Sequence, residues 1–496
     1  MSAISESESQ IASPPGKGAV SIIDRSVRIP VLLFFGSAVV WLVLGSILFL
    51  LSSSQIHKPT SWWTLPGIPW LSYGRVYPAF VDCFVYGWIA SAGIAFGLWL
   101  LSRFSAGPFR YLSLSIYGWA VWNCGLTAGI VCLLAGTTTG RPFLEFPPYA
   151  AFILFLGFAM VGLCAISIAW DRKPGALYIS EWYVIGAFLW FAWVYTTANL
   201  TLGITPAPGV AQPAINWWYA GGLIDLCLTP IALAAAFYLI PKIVNRPIYS
   251  ERLALLGFWV LALLGGWTGM TSIIGGPLPA WMITAGIVAK VLMLIAVFAV
   301  AANFHLTMKG AFEGLRDDLA LRFISTGAMI YTVYAVEGSI LSLRSIAQFT
   351  QFTVVTQVHT QLGLIGFVSF ILFGAVYYIV PRLLGRQWLF EKLITTHFWF
   401  LVTGLGLLYF SLTIGGLIQG FGLEDAQVPM IAMSDLLQPF LTVQNVGVLL
   451  IAIGNLAFAI AFALMLVVSA PVKQQAVAVG ESDQAPENSA AEVSVA

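Results

Sequence analysis

Apolar residues run through the chain in long blocks, and short polar connections separate them. A helix rising about 1.5 Å per residue needs about 20 mostly apolar residues to cross a hydrocarbon core about 30 Å thick. Twelve blocks meet that length: Val31–Ser52, Phe80–Leu101, Tyr111–Leu134, Tyr149–Trp170, Trp182–Leu202, Trp217–Ile240, Leu253–Ile274, Trp281–Phe304, Phe323–Leu343, Thr353–Val380, Ile394–Ile418 and Val443–Val468. Strands of a membrane barrel would be near ten residues long and would alternate apolar with polar. These blocks are about twice that length and do not alternate. The expected fold is an all-α polytopic membrane protein.

The first 24 residues are polar and lack the basic-then-apolar order of a signal peptide. Residues 1–28 and 471–496 read as disordered tails, the second rich in Ala, Val, Gln, Glu and Ser, and residues 29–470 as one membrane domain. Lys and Arg orient the spans, because cytoplasmic loops carry the excess of positive charge. With the amino terminus inside, 17 of these residues fall on the inner side and 4 (Lys58, Arg75, Arg141, Arg344) on the outer. Both termini are therefore expected in the cytoplasm, with the chain in the cell's inner membrane and the Glu424–Asp435 connection outside.

Composition narrows the class further. Of 496 residues, 59% are hydrophobic and 9% charged, against about 25% charged in soluble proteins. So few charges cannot dress a water-facing surface of this size. A net charge of +1 offers no basic face for nucleic acid. The expected surroundings are a lipid bilayer. The five cysteines (Cys83, Cys124, Cys132, Cys164, Cys227) form no CxxC or CxxCH motif and read as buried, inert thiols.

Motifs in the tenth block carry the chemistry. Residues 353–363 read TVVTQVHTQLG, followed by FGAVYYIVPRLLGR from Phe373 and THFWF from Thr396. Further along the chain stand SYGRVYP at Ser72–Pro78, WWY at Trp217–Tyr219, PKIVNRPIYSERL at Pro241–Leu253, FW at Phe258–Trp259, LPAW at Leu278–Trp281 and VEGS at Val336–Ser339. In order and spacing, from about residue 25 to about residue 420, this resembles the catalytic subunit of the C-family, cbb-type haem–copper oxidases. The resemblance implies a twelve-helix, subunit I-like bundle. It also implies six histidine ligands to two haems and a copper ion, since imidazole suits both metals.

The chain has four histidines, His57, His305, His359 and His397. At the positions where the resemblance implies ligands stand Phe80 (low-spin haem), Gly221, Thr271 and Ser272 (copper) and Gln357 (high-spin haem); His359 alone is kept. The tyrosine that the family cross-links near copper would fall near Gly265. Gln348 stands where the family has a histidine beside the haem propionates, and Arg75 and Arg344, on the outer side, read as solvated loop charges. His359 is the candidate lone axial ligand of a haem; the competing reading is a histidine hydrogen-bonded within the bundle. No copper is expected, and at most one haem b. Trp62, Trp63, Trp70, Trp182, Trp217, Trp218 and Trp281 near span ends read as an interfacial belt.

Ionisable residues inside spans are costly and default to functional candidates. Asp82 stands near the outer interface and reads as hydrated. Glu337 matches the family's Glu-Gly. Lys290 and Asp225 lie deeper, on spans that are neighbours in the resembling oxidases, and Lys290 is expected to pair with Asp225 or, failing that, with Glu337. Three functions compete. The first is a non-catalytic, oxidase-like subunit of a respiratory electron-transfer assembly, docking c-type cytochrome subunits or a genuine oxidase. The second is an active cbb-type cytochrome c oxidase subunit I. The third is an ion or solute pathway built on the same bundle.

Overall fold

The computed structural model describes residues 22–58 and 67–468. Trp62, Trp63, residues 1–21 and residues 469–496 lie outside the described residues. Among the described residues eleven helices are long and apolar enough to cross a membrane: α1 (Ile22–His57), α2 (Tyr73–Phe104), α3 (Leu112–Ala135), α4 (Pro148–Trp170), α5 (Ile179–Ile204), α6 (Ala211–Val244), then, after the seventh segment, α8 (Ala280–Met308), α9 (Leu319–Leu341), α10 (Val354–Leu384), α11 (Glu391–Glu424) and α12 (Met430–Val467). No strand forms among the described residues.

The seventh apolar block is not one continuous span. It folds as α7 (Glu251–Leu264) and then a 3-10 turn, Thr268–Ile273. The cause is local and tertiary together. Gly265, Gly266 and Gly269 each weaken a helix by about 1 kcal/mol relative to Ala. A side chain on Gly269 would also sit 1.9 Å from the Trp217 carbonyl, so this turn docks backbone to backbone on α6.

Helix ends also differ from the apolar blocks. Helix α1 starts at Ile22, inside the segment assigned to the tail. Asp24 holds it there by accepting from Arg103 and Trp99, each at 3.1 Å. Helix α12 starts at Met430, so the last connection is only Asp425–Pro429 and Asp435 is helical.

Helices α2, α6 and α10 form the enclosed centre, each with 94% of its most apolar stretch buried, against 56% or less for the others. All three contain a π-helical stretch: Cys83–Ala90, Leu223–Leu228 and Leu362–Ser369. Such stretches recur at functional sites because the extra residue re-aims side chains. Here the second carries Asp225, and the third follows directly on the turn that bears His359.

Candidate functional site

Two pairs of ionisable residues meet beside one small cavity, which Asp225, Lys290 and His359 line. In α6, Asp225 Oδ2 lies 3.4 Å from Lys290 Nζ of α8. The Thr268 hydroxyl, in the turn after α7, donates to the same oxygen at 2.5 Å. The broken seventh segment thus supplies the second donor to a buried carboxylate. The Ser339 hydroxyl of α9 donates to the Lys290 carbonyl at 2.9 Å and fixes α8 against α9.

The second pair joins α9 to α10. His359 Nδ1 is 2.9 Å from Glu337 Oε2, and the Tyr409 hydroxyl of α11 donates to Glu337 Oε1 at 2.9 Å. The His359 ring stacks on Tyr334, with centroids 4.6 Å apart and planes 15° apart. With Glu337 ionised, Nδ1 is the protonated nitrogen, and Nε2 presents its lone pair on the opposite edge of the ring. That edge faces Gly338. An atom at the missing Cβ of Gly338 would lie 3.0 Å from His359 Nε2 and 4.0 Å from Lys290 Nζ. The two pairs are therefore separated by little more than the space a side chain on Gly338 would fill.

The cavity between them is lined by Asp225, Lys290, Tyr331, Tyr334, Gly338 and His359 among others, with about 20 Å³ open to the centre of a water molecule. That is room for one or two waters, whereas pockets for cofactor-sized ligands run to about 300–1,000 Å³.

The positions that the oxidase resemblance assigns to metal ligands are occupied otherwise. Phe80 is buried and lies flat on Phe49, with centroids 4.1 Å apart and planes 3° apart, and with Phe84 and Tyr77 at its edges. Gly221 has no space for any side chain, because a Cβ would sit 2.5 Å from the Gly269 nitrogen. The Thr271 hydroxyl donates to the Thr268 carbonyl at 2.8 Å, and the Ser272 carbonyl accepts from Gln351 at 2.8 Å. Gln357 is half-buried on α10. As they stand, these residues do not fit a bis-histidine haem or a copper ion.

The remaining histidines are elsewhere. His57 ends α1 and contacts Gln438 of α12 at 3.2 Å. His305 bonds its own helix at the Ala301 carbonyl. His397, fully buried, meets the Tyr377 hydroxyl at 2.8 Å. Arg75 is half-buried and donates to the Leu134 carbonyl at 3.1 Å, whereas Arg344 is exposed and bonds Thr284. Gln348 is exposed.

Two readings of the sequence need correction. Asp82 does not stand at a water-facing surface: it is 0% exposed, and among the described residues neither carboxylate oxygen has a donor. The cysteines are not all buried, since Cys124 is exposed and Cys132 half-exposed beside the Tyr149 hydroxyl at 3.0 Å. Sequence reasoning also missed Thr268, Tyr334 and Tyr409, which carry no motif and join the site only through helix packing.

Comparisons with known proteins agree with this architecture. The family model described as "Cytochrome C and Quinol oxidase polypeptide I" matches residues 29–450. The chain is 25% identical over 407 residues to cytochrome c oxidase subunit 1 of Rhodobacter capsulatus, covering 78% of this chain and 76% of that one. It is 26% identical over 446 residues to the bacteroid cytochrome c oxidase subunit 1 homolog of Bradyrhizobium diazoefficiens, covering 85% and 79%. With the cbb3-type cytochrome c oxidase subunit CcoN1 of Stutzerimonas stutzeri it shares 25% identity over 392 residues, covering 77% and 81%. A solved haem–copper terminal oxidase dimer has the same fold, with a TM-score of 0.70 over 90% of this chain and 84% of that one, at 15% identity. The chain belongs to the cytochrome c and quinol oxidase polypeptide I family.

Proposed function

We propose that this subunit I-like membrane protein is non-catalytic and serves as an integral subunit of a respiratory electron-transfer assembly. One observation carries the reading. Where the resembling oxidases imply a copper ligand, Gly221 packs against the backbone of Gly269 at a distance that admits no side chain. Neighbouring space holds the Asp225–Lys290 pair. Reduction of oxygen in this family implies a high-spin haem facing copper, and the residues for either are missing. Loss of ligands with retention of the bundle is what a structural or docking role would leave. The partners that suit it are c-type cytochrome subunits or a genuine oxidase. The excess of Lys and Arg on one side supports an inner-membrane location with both ends cytoplasmic.

A second reading is favoured by Asp225, Lys290 and His359, which line one cavity, with Glu337 bonded to His359 and Tyr409 to Glu337 behind it. Charged groups so placed suit an ion or solute pathway. Haem and copper content of the purified chain tests the first reading: no copper and at most one haem b are expected. A full complement of two haems b and one copper would restore the active oxidase.

A further inference from the structure

Asp82 and Glu145 lie outside the site described above and have no role in it. Asp82 is in α2, fully enclosed, and neither of its carboxylate oxygens meets a hydrogen-bond donor. Glu145 is in the loop of residues 136–147, between α3 and α4, and its carboxyl stands beside that of Asp82. Its Oε2 is also buried and without a donor.

The loop is built to deliver Glu145 to this place. The Thr139 amide donates to the Glu145 carbonyl at 3.0 Å, and the Thr139 hydroxyl donates to the Leu144 carbonyl at 2.6 Å. Phe143 adopts a left-handed backbone, φ 63°, a conformation that is strained for a bulky residue and is kept only where the surroundings impose it. The Tyr86 hydroxyl, from α2, holds it by donating to the Phe143 carbonyl at 2.5 Å.

Among the described residues no cation pairs with either carboxyl. Arg141, in the same loop, turns to the Leu202 carbonyl at 2.9 Å and to Gln212 at 3.4 Å. Arg75 turns to the Leu134 carbonyl. The titratable groups around them are neutral: Tyr77, Cys83 and Tyr86 of α2, Tyr195 of α5 and Tyr219 of α6. The Tyr219 hydroxyl is already bonded to Tyr86 at 2.6 Å.

Two carboxylates side by side, shielded from water and without a paired cation, cannot both ionise. A single proton bridges one Asp82 oxygen and one Glu145 oxygen, because it turns one acid into a donor to the other. We propose that Asp82 and Glu145 form a proton-binding carboxyl dyad, one proton held between them, which latches the 136–147 loop onto α2. Burial pushes the Glu145 carboxyl up to about 8, so the proton is given up just above neutral pH. Loss of the proton sets two negative charges against each other and releases the loop.

Linkage fixes the sign. Unfolded carboxyls titrate near about 4, so between there and about 8 the folded protein binds the extra proton. Stability is fully present below the lower value and is lost as pH rises through the upper one. The test uses the full chain in detergent. Its Tm falls between pH of about 5 and about 8.5, and its infrared spectrum shows a protonated carboxyl band that shifts in D2O. Asp82→Asn and Glu145→Gln each supply an amide donor in place of the proton, so each flattens the fall in Tm and removes the band. Where one variant fails to fold, the other and the band of the unaltered chain still decide. A flat or rising Tm, an unaltered profile in the variants, or a gain in Tm with an added metal ion that either variant abolishes would overturn the proposal.

Discussion

Removing the Lys290 ammonium is the sharpest perturbation of the central cavity. Lys290 and Asp225 have side chains only 21% and 8% exposed and stand 3.4 Å apart. At this range unit charges attract by about 5 kcal/mol in an effective dielectric of about 20. Breaking a buried pair from one side typically costs about 3–5 kcal/mol, because the other charge is left uncompensated. Polar contacts between membrane helices have measured nearer 1–2 kcal/mol, and Thr268 remains as a donor to Asp225. Lys290→Met is therefore expected to destabilise by about 2–4 kcal/mol. In Lys290→Met with Asp225→Asn no charge is left, and the Asn oxygen still accepts from Thr268. The double variant is expected to recover about 2 kcal/mol of the summed cost of the singles. Folded yield by size-exclusion chromatography and Tm in detergent read the cycle. A double variant as poor as the sum of the singles would show that the two residues are not coupled.

Two further outcomes follow from the same geometry. Gly221→His, the change that would rebuild a copper ligand, is expected to lower Tm and bind no copper, because its Cβ would meet the Gly269 backbone at 2.5 Å; a well-folded, copper-binding variant would refute the packing argument. Cysteines placed in either tail, at Ser482 for example, are expected to resist an impermeant thiol reagent in intact cells, and strong labelling from outside would reverse the orientation.

Much of the fold is legible because hydrocarbon thickness sets one length for every span. Eleven blocks exceed that length and become long helices. The seventh exceeds it too, yet breaks at Gly265–Gly269, because average apolarity does not register where α6 presses on the chain. The π-helical stretches likewise have no signature in residue spacing. The places where the oxidase resemblance implies ligands, Phe80, Gly221, Thr271, Ser272 and Gln357, come from the motifs alone; the packing around them does not. Depth along separate spans brings Lys290 towards Asp225; it says nothing of Thr268, which arrives through the broken helix. Asp82 is a related case. Its depth suggests water, and only the return of the 136–147 loop encloses it. Acids in a connecting loop are ordinarily solvated, so nothing in the sequence singles out Glu145.

The claim that matters most is that this family member lacks the metals of an oxidase. Copper by mass spectrometry and haem by the pyridine haemochrome spectrum, both per mole of purified chain, measure it directly. The account predicts no copper and no bis-histidine haem. Any haem b present is expected at no more than one per chain and to vanish in His359→Ala, since among the positions where the oxidase resemblance implies a ligand only 359 holds a histidine. Two haems b and one copper per chain, retained through purification, would contradict it.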